Sequence, residues 1–219
     1  MKIVINSHIS SDIARAHFLE SVQLYTEYKI YEYIIVIGGY YELSDYEITK
    51  EDNITYIKSN HNSIDFTGLI ALLELYSEEI DQYYLYLHDT CKVGPEFFKK
   101  LENINLENIT SLSLTKFPSM NIGIYSQKII NTNKEFLLSR KNKDKNALHN
   151  FKKIGMNYED RIFRNDPTTR ILDNHRNRIT TGPTDYYGTG TMRIVEYYSN
   201  LDLYKIKSCW GQGMFNLNN

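Results

Sequence analysis

Short β-branched and aromatic runs alternate with helical patterns through the first hundred residues. Lys2–Ile5 reads as a strand that stops at Asn6-Ser7-His8. Ser10-Ser11-Asp12 offers helix N-cap chemistry, and Ile13, Ala16, Phe18, Leu19, Val22 and Leu24 follow at spacings compatible with one helix face. Tyr33–Ile37 is a second strand, cut off by Gly38-Gly39, and Ile54–Ile57 a third, ending at Ser59-Asn60-His61. Asp65 stands before a helix that carries Leu69, Leu72, Leu73 and Tyr76. Tyr83–Leu87 is a fourth strand and ends at His88-Asp89-Thr90, and Pro95 suits the first turn of a helix over Pro95–Leu101.

Strands alternating with helices predict a mostly parallel sheet flanked by helices, so the expected class is α/β. Near-continuous apolar strands agree with burial on both faces. Ligands of such sheets bind outside the carboxyl ends of the strands. Here those ends carry Asn6–His8, Gly38-Gly39, Ser59–His61 and His88–Thr90, all small, polar or ligand-capable. That coincidence predicts a binding crevice along one edge.

The second half is less regular. Ser111–Thr115 and Asn121–Tyr125 read as strands, and Phe136–Leu138 as part of a helix. Arg140–Lys145 reads as an exposed polar bridge. Tyr158–Phe163 reads as a short helix that holds Glu159 and Asp160. Arg170–Arg178 is basic, Gly182–Thr191 is rich in Gly and Thr, and Met192–Tyr198 and Leu203–Ile206 read as late strands. With no internal repeat and no low-complexity linker, one domain is expected, with one half over 1–103 and the other over 104–219.

Composition narrows the classes. The 219 residues carry 25 Lys and Arg against 27 Asp and Glu, a net charge of −2, which argues against a nucleic-acid binder. No apolar run approaches the roughly 20 residues of a membrane span, and the first residues do not read as a signal peptide. Two cysteines, Cys91 and Cys209, make no disulfide framework, so a reducing, cytoplasmic setting is expected (a host cytoplasm or a virion if the source is viral). The Tyr, Ile, Asn and Lys richness looks like an AT-rich coding bias and suggests a viral or bacterial source.

The sharpest local feature is the run from Tyr83 to His88-Asp89-Thr90, followed by Gly94-Pro95-Glu96-Phe97-Phe98. A carboxylate just past a buried strand is a hard oxygen ligand suited to Mg²⁺ or Mn²⁺; a plain turn is the other reading of Asp89. The segment resembles the metal-binding region of glycosyltransferases with the GT-A fold, family 2-like, in which a buried strand ends in Asp-x-Asp before a Pro-x-Phe helix start. The opening Lys2–Ser11, the stretch Phe18–Leu24, the segment Asn62–Leu73 and Tyr158-Glu159-Asp160-Arg161 fall in the same order as that family's first strand and helix, nucleotide-flanking helix and Glu-Asp motif. The likeness spans roughly residues 1–165. Only one carboxylate of Asp-x-Asp is present.

The resemblance implies a GT-A-like fold and transfer of a sugar from a nucleotide-diphosphate donor, UDP- or dTDP-linked, to a glycan or other hydroxyl acceptor. Asp160 matches the base of an inverting transfer, with Glu159 as its fallback; ion pairs to Arg161 or Arg164 are the structural alternative. Asn6, His8, Gly38, Asp65, His88 and Asp89 are the expected donor contacts, and Asp89 is the expected ligand of Mn²⁺ or Mg²⁺. Gly38-Gly39 lets backbone approach a ligand or simply turns the chain; Asp65 touches the nucleotide or caps its helix. Arg176 and Arg193, in a stretch with Arg170, His175, Arg178 and a Gly-Thr-rich segment, are expected to close over the leaving diphosphate. Trp210 stacks a sugar or pins the C-terminus. Two other readings stand beside this one: a metal-dependent hydrolase using His8, His61, His88 and Asp89, and a non-catalytic nucleotide- or glycan-binding relative.

Overall fold

The structure is a computed structural model that describes residues 1–115, 121–148, 150, 158–173, 177–184 and 191–208; for 173, 177–184, 191–194 and 207–208 it describes the backbone path alone. The chain forms two compact units interleaved in sequence. The first takes Met1–Ser10, Lys29–His88 and Leu106–Leu172; the second takes Ser11–Tyr28, Asp89–Asn105 and the chain from Asp173.

Strands β1 (Lys2–His8), β2 (Tyr33–Gly38), β3 (Glu47–Glu51), β4 (Ile54–Ser59) and β5 (Tyr83–His88) precede β6 (Cys91–Val93), and β7 (Ser111–Thr115), β8 (Gly123–Ser126) and β9 (Arg170–Asp173) follow it. All but β6 join the first unit's sheet, ordered β3-β4-β2-β1-β5-β8-β7-β9. The four central strands β4, β2, β1 and β5 are parallel. β8 runs against β5 and β7 against β8, so β7 points with the central four. The α/β class and the mostly parallel sheet are as expected.

Burial explains why these runs are strands. All six residues of β2 are buried, as a strand covered on both faces requires. Val4, Ile34, Val36, Tyr84 and Tyr86 share one core cluster. Onto it pack α2 (Thr67–Leu75), α4 (Gln127–Thr132), α5 (Lys134–Ser139) and α6 (Arg161–Asn165). Thr67 through Leu73 of α2 are all buried, so this helix is apolar all round instead of amphipathic.

Three expectations change. Asp65 does not cap α2: a 3-10 turn over Ile64–Phe66 comes first, and Phe66 occupies the N-cap place. Glu159 and Asp160 lie in the turn before α6, with Asp160 at its N-cap position. Within Arg140–Lys145, Asn142 is buried, and it is bonded to the backbone at Asn62.

The second unit holds α1 (Asp12–Gln23), α3 (Phe97–Glu102) and a four-stranded antiparallel sheet. That sheet is ordered β10-β11-β12-β6, with β10 at Asn177–Thr184, β11 at Thr191–Tyr198 and β12 at Leu203–Ser208. Phe18 and Val22 of α1 are buried as expected, whereas Ile13 and Leu24 are exposed. Ser11 sits at its N-cap without a side-chain cap bond. Among the described residues no helix is long and apolar enough to cross a membrane.

Candidate functional site

Sheet order alone marks one edge of the first unit. From β1 the chain goes to β2 on one side; from β4, through α2, it goes to β5 on the other. The carboxyl ends of β1 and β5 thus flank the point where strand order reverses, where ligands of open α/β sheets bind. Asn6 and His88 are register partners at that point.

Asn6 turns out to be a clamp. Its Nδ2 donates to the Ile64 carbonyl at 3.0 Å, and its Oδ1 accepts from the Gly68 N–H at 2.8 Å. Both ends of one buried amide thereby tie strand β1 to the turn before α2. The loop that β4 feeds, Ser59-Asn60-His61-Asn62-Ser63, is polar yet wholly buried, so its polar groups need internal partners. Ser63 N donates to Thr67 Oγ1 at 2.9 Å, and Ser63 Oγ accepts from Asn142 N at 3.0 Å. Ile64 has φ +54°, a left-handed conformation costly for a β-branched residue. Three side-chain hydrogen bonds hold it: its N–H donates to Asn62 Oδ1 at 2.9 Å, and its carbonyl accepts from Asn6 Nδ2 and from the Thr67 hydroxyl, which itself accepts from Ser63 N.

The strained residue presents Asp65. The Asp65 carbonyl accepts from Tyr86 Oη at 2.9 Å and from Asn121 Nδ2. Its carboxylate lies 3.5 Å from His88 Nε2 and keeps 22% side-chain exposure, against 7% for His88, so Asp65 is the group of this pair that a ligand can reach. His88 Nε2 also lies 2.9 Å from Asn121 Oδ1. Because Asn121 Nδ2 already donates to Asp65, its Oδ1 must accept, so His88 carries its proton on Nε2. Burial, then the Asp65 charge, holds the Tyr86 phenol well above its ordinary pKa, which keeps it a neutral donor. The structure therefore brings Asn6, Asp65 and His88 together. It adds Asn121 and Tyr86, which the sequence reading did not single out. Asn121 belongs to the entry of β8, whose place beside β5 has no local signal.

The histidines do not converge. His8 Nδ1 accepts from Ser10 N at 3.1 Å, and its ring lies over Gly39, whose φ of +105° suits only glycine. Gly38 is approached by the His61 carbonyl and by Thr67, so the room it leaves is filled by the chain itself. His61 is fully buried between Ser63 Oγ (2.9 Å) and Tyr46 Oη (3.2 Å). Burial first, then Lys141 and Lys143, push its pKa down to about 3. It is a neutral structural imidazole. Among the described residues no group of three or more His, Cys, Asp or Glu side chains is arranged to hold a metal ion. The His8, His61, His88 and Asp89 metal site is thus not assembled.

Asp160 is 5% exposed. Its Oδ1 accepts from Arg164 Nε at 2.9 Å, and its Oδ2 is buried without a hydrogen-bond partner. The expected ion pair to Arg164 is real but occupies only one oxygen. Burial foremost, then the Tyr86 hydroxyl and the Asp160 charge, hold the Tyr125 phenol far above its usual range. Tyr125 Oη donates to the Asn121 carbonyl at 2.7 Å, so Asp160 lies within electrostatic reach of the Asn121 end of β8. From there α6 leads to Asp166, which accepts from Thr110 and Ser111 at the start of β7, on the opposite edge. Glu159 is half-buried and makes its own contacts.

Asp89 belongs to the second unit and is buried. The next residue, Thr90, accepts from Lys205 Nζ through its hydroxyl and from Ile206 N through its carbonyl at 2.9 Å. Among the described residues Asp89 belongs to no group of three or more His, Cys, Asp or Glu side chains arranged to hold a metal ion. Arg170 Nη2 donates to the Glu107 carbonyl at 3.2 Å, just before the start of β7, which is the edge away from His88. Arg176, His175, Gly188 and Trp210 lie outside the described residues, as do the side chains of Arg178 and Arg193.

No protein-family model matches the sequence, and no curated protein matches it. Among solved structures, the chain is similar to the crystal structure of an active-site mutant of LgtC, a glycosyltransferase. The identity is 15%, the match covers 79% of this chain and 73% of that one, and the TM-score is 0.49.

Proposed function

We propose that the protein transfers a sugar from a nucleotide-diphosphate donor to a hydroxyl acceptor. The observation that carries this reading is the Asp160 carboxylate. It is buried, Arg164 holds one of its oxygens, the other has no partner, and it shares a unit with the Asp65–His88–Asn121 network. A base of this kind needs one oxygen fixed and one open to a proton.

In this reading the nucleoside lies at the carboxyl ends of β1 and β5 and gives a hydroxyl hydrogen bond to the open Asp65 carboxylate. His88 lies against that carboxylate, and Asn6, Asn121 and Tyr86 hold the backbone turn that carries it. UDP and dTDP are the favoured carriers. The acceptor oxygen forms a bond to the anomeric carbon as its proton passes to Asp160 Oδ2. The bond from that carbon to the diphosphate oxygen breaks, and the electron pair leaves with the diphosphate. Attack from the face opposite the leaving group inverts the centre. The leaving charge is offset by N–H donors and basic side chains, Arg176 and Arg193 being the candidates.

A thermal-shift series with UDP, GDP, dTDP and CDP, each with and without Mn²⁺, tests the donor. Saturation at one hundred times Kd raises stability by about 2.7 kcal/mol. A shift with one nucleotide names the carrier, and its dependence on Mn²⁺ decides whether Asp89 serves a cation. Asp160→Asn is expected to keep that shift and to lower transfer by about 10²–10⁴-fold. Retained transfer in Asp160→Asn removes it as the base. A nucleotide shift with no turnover by the unaltered chain favours the non-catalytic binder.

A further inference from the structure

One acceptor at the strand-order reversal is fixed in place and still open. Among the described residues the Asp65 carboxylate is paired only with His88 Nε2, at 3.5 Å. That nitrogen spends its proton on Asn121 Oδ1, at 2.9 Å. A carboxylate has two oxygens and about four lone-pair sites, so most of its capacity is left for a ligand. The Asp65 side chain keeps 22% exposure beside a His88 at 7%.

The backbone that carries this acceptor is pinned. Ile64 before it stands at φ +54°. The Asp65 carbonyl accepts from Tyr86 Oη and Asn121 Nδ2. Phe66 after it is buried, donates its N–H to the Ser63 carbonyl at 3.1 Å, and sets its ring edge-on to Phe136. Backbone held in a costly conformation is characteristic of ligand clamps. An acceptor fixed beforehand also lowers the ordering cost of binding.

The open carboxylate calls for two adjacent hydrogen-bond donors. A ribose supplies them as a cis pair of hydroxyls, and bonds from such donors to an ionised acceptor are about twice as strong as neutral ones. An acidic residue reads a ribose hydroxyl in this way at the strand ends of dinucleotide-binding sheets. The edges of uracil and thymine do not fit, because each sets one N–H between two carbonyl oxygens that a carboxylate repels. A 2′-deoxyribose keeps only one hydroxyl of the pair.

We propose that Asp65 accepts from the 2′- and 3′-hydroxyls of the donor's ribose together, so that the protein selects ribonucleoside diphosphates against their deoxy forms. The inference rests on the transferase reading, because it takes the ligand at this edge to be a nucleotide. Of the two favoured carriers, UDP meets the requirement and dTDP does not. Asp65 is then the specificity-determining residue of the donor site.

Calorimetric titrations of the full chain with UDP, 2′-deoxy-UDP, 3′-deoxy-UDP, GDP and 2′-deoxy-GDP, with and without Mn²⁺, test this. UDP is expected to bind about ten- to a hundredfold more tightly than either of its deoxy forms. Asp65→Ala is expected to erase the difference among the uridine nucleotides. The comparison on the unaltered chain decides the matter even where that variant does not fold. Equal affinities for UDP and either deoxy form overturn the inference and leave the transferase reading standing. So does a ribose preference kept in full by an Asp65→Ala protein that melts like the parent. GDP and 2′-deoxy-GDP bound alike, and more tightly than UDP, put the adjacent N–H and amino group of guanine on the carboxylate and overturn it as well. Binding of none of the five sinks the inference. If the UDP, GDP, dTDP and CDP thermal shifts are absent too, the transferase reading falls with it.

Discussion

Ile64 shows how single residues at this edge trade stability for position. Its φ of +54° costs about 1–2 kcal/mol relative to the right-handed region, and its side chain is only half-buried, so little apolar contact offsets that. Asn tolerates the left-handed region through local hydrogen bonding. Ile64→Asn is therefore expected to stabilise the chain, by up to about 1 kcal/mol in urea unfolding; a loss of 1 kcal/mol or more would mean that the side chain matters more than its backbone. Asn6→Ala should act oppositely. It strips the partner from the buried Gly68 N–H, at about 1–3 kcal/mol for a group left unsatisfied, and one donor from the Ile64 carbonyl, which keeps Thr67.

His61 adds a pH dependence at the same scale. Its folded pKa is about 3, set by burial and by Lys141 and Lys143, whereas the unfolded imidazole titrates near 6.5. The folded pKa is lowered, so this group's contribution is whole above about pH 6.5 and is lost as the pH falls towards 3. Between about pH 6 and 5, before most carboxylates titrate, the slope from this one site approaches 1.4 kcal/mol per pH unit. Urea midpoints across that window, read beside the His61 ring proton shifts, check it. Ring shifts that move with a midpoint near 6.5 would show an imidazole open to solvent.

Elements were legible where their own residues decide them. Tyr33–Gly38 and Tyr83–Leu87 are near-continuous apolar runs, and burial follows from that; Ser111–Thr115 alternates hydroxyl residues with Leu112 and Leu114. β3 escaped because all five of its residues are exposed and three are charged, as suits an edge strand that resists pairing with other chains. Its signal was the two-residue Asp52-Asn53 turn, where Asp52 has φ +50° and Glu51 pairs with Ile54. β6 had no signal of its own: its three residues become a strand only because Leu203–Lys205 lies alongside. In that second sheet Glu196 and Lys205 are cross-strand partners, both buried, Lys205 bonded to Thr90 and Glu196 to Tyr198 Oη at 3.0 Å. Removing one charge leaves the other buried. Lys205→Met is expected to cost about 3–5 kcal/mol, and Glu196→Leu added to it to restore much of the loss. Additive losses in the double-mutant cycle would show two independent charges.

For the whole molecule, chain order was enough to say that β1, β2, β4 and β5 end at one edge, because right-handed connections between parallel strands leave little choice. It was not enough to say which side chains meet there. Asn6, Asp65 and His88 meet because the Ile64 turn folds back over β1, whereas His8 and His61 share the edge and face other partners. Asn121 reaches His88 through an antiparallel strand that no alternation of strand and helix foretells. Hydrogen exchange reads this arrangement directly. The amides of β1 and β2, paired on both sides and buried, should exchange among the slowest, and those of the exposed edge strand β3 among the fastest. A nucleotide seated at the strand order reversal contacts the Asp65 turn, whose hydrogen bonds already couple Asn6, Thr67 and Tyr86. Adding the nucleotide that gives the thermal shift should therefore slow exchange across Ser59–Gly68 and at the end of β5, with β10–β12 unchanged. Slowing confined to β10–β12 would put the nucleotide in the second unit and take Asp65 out of the donor site, whatever Asp160 does.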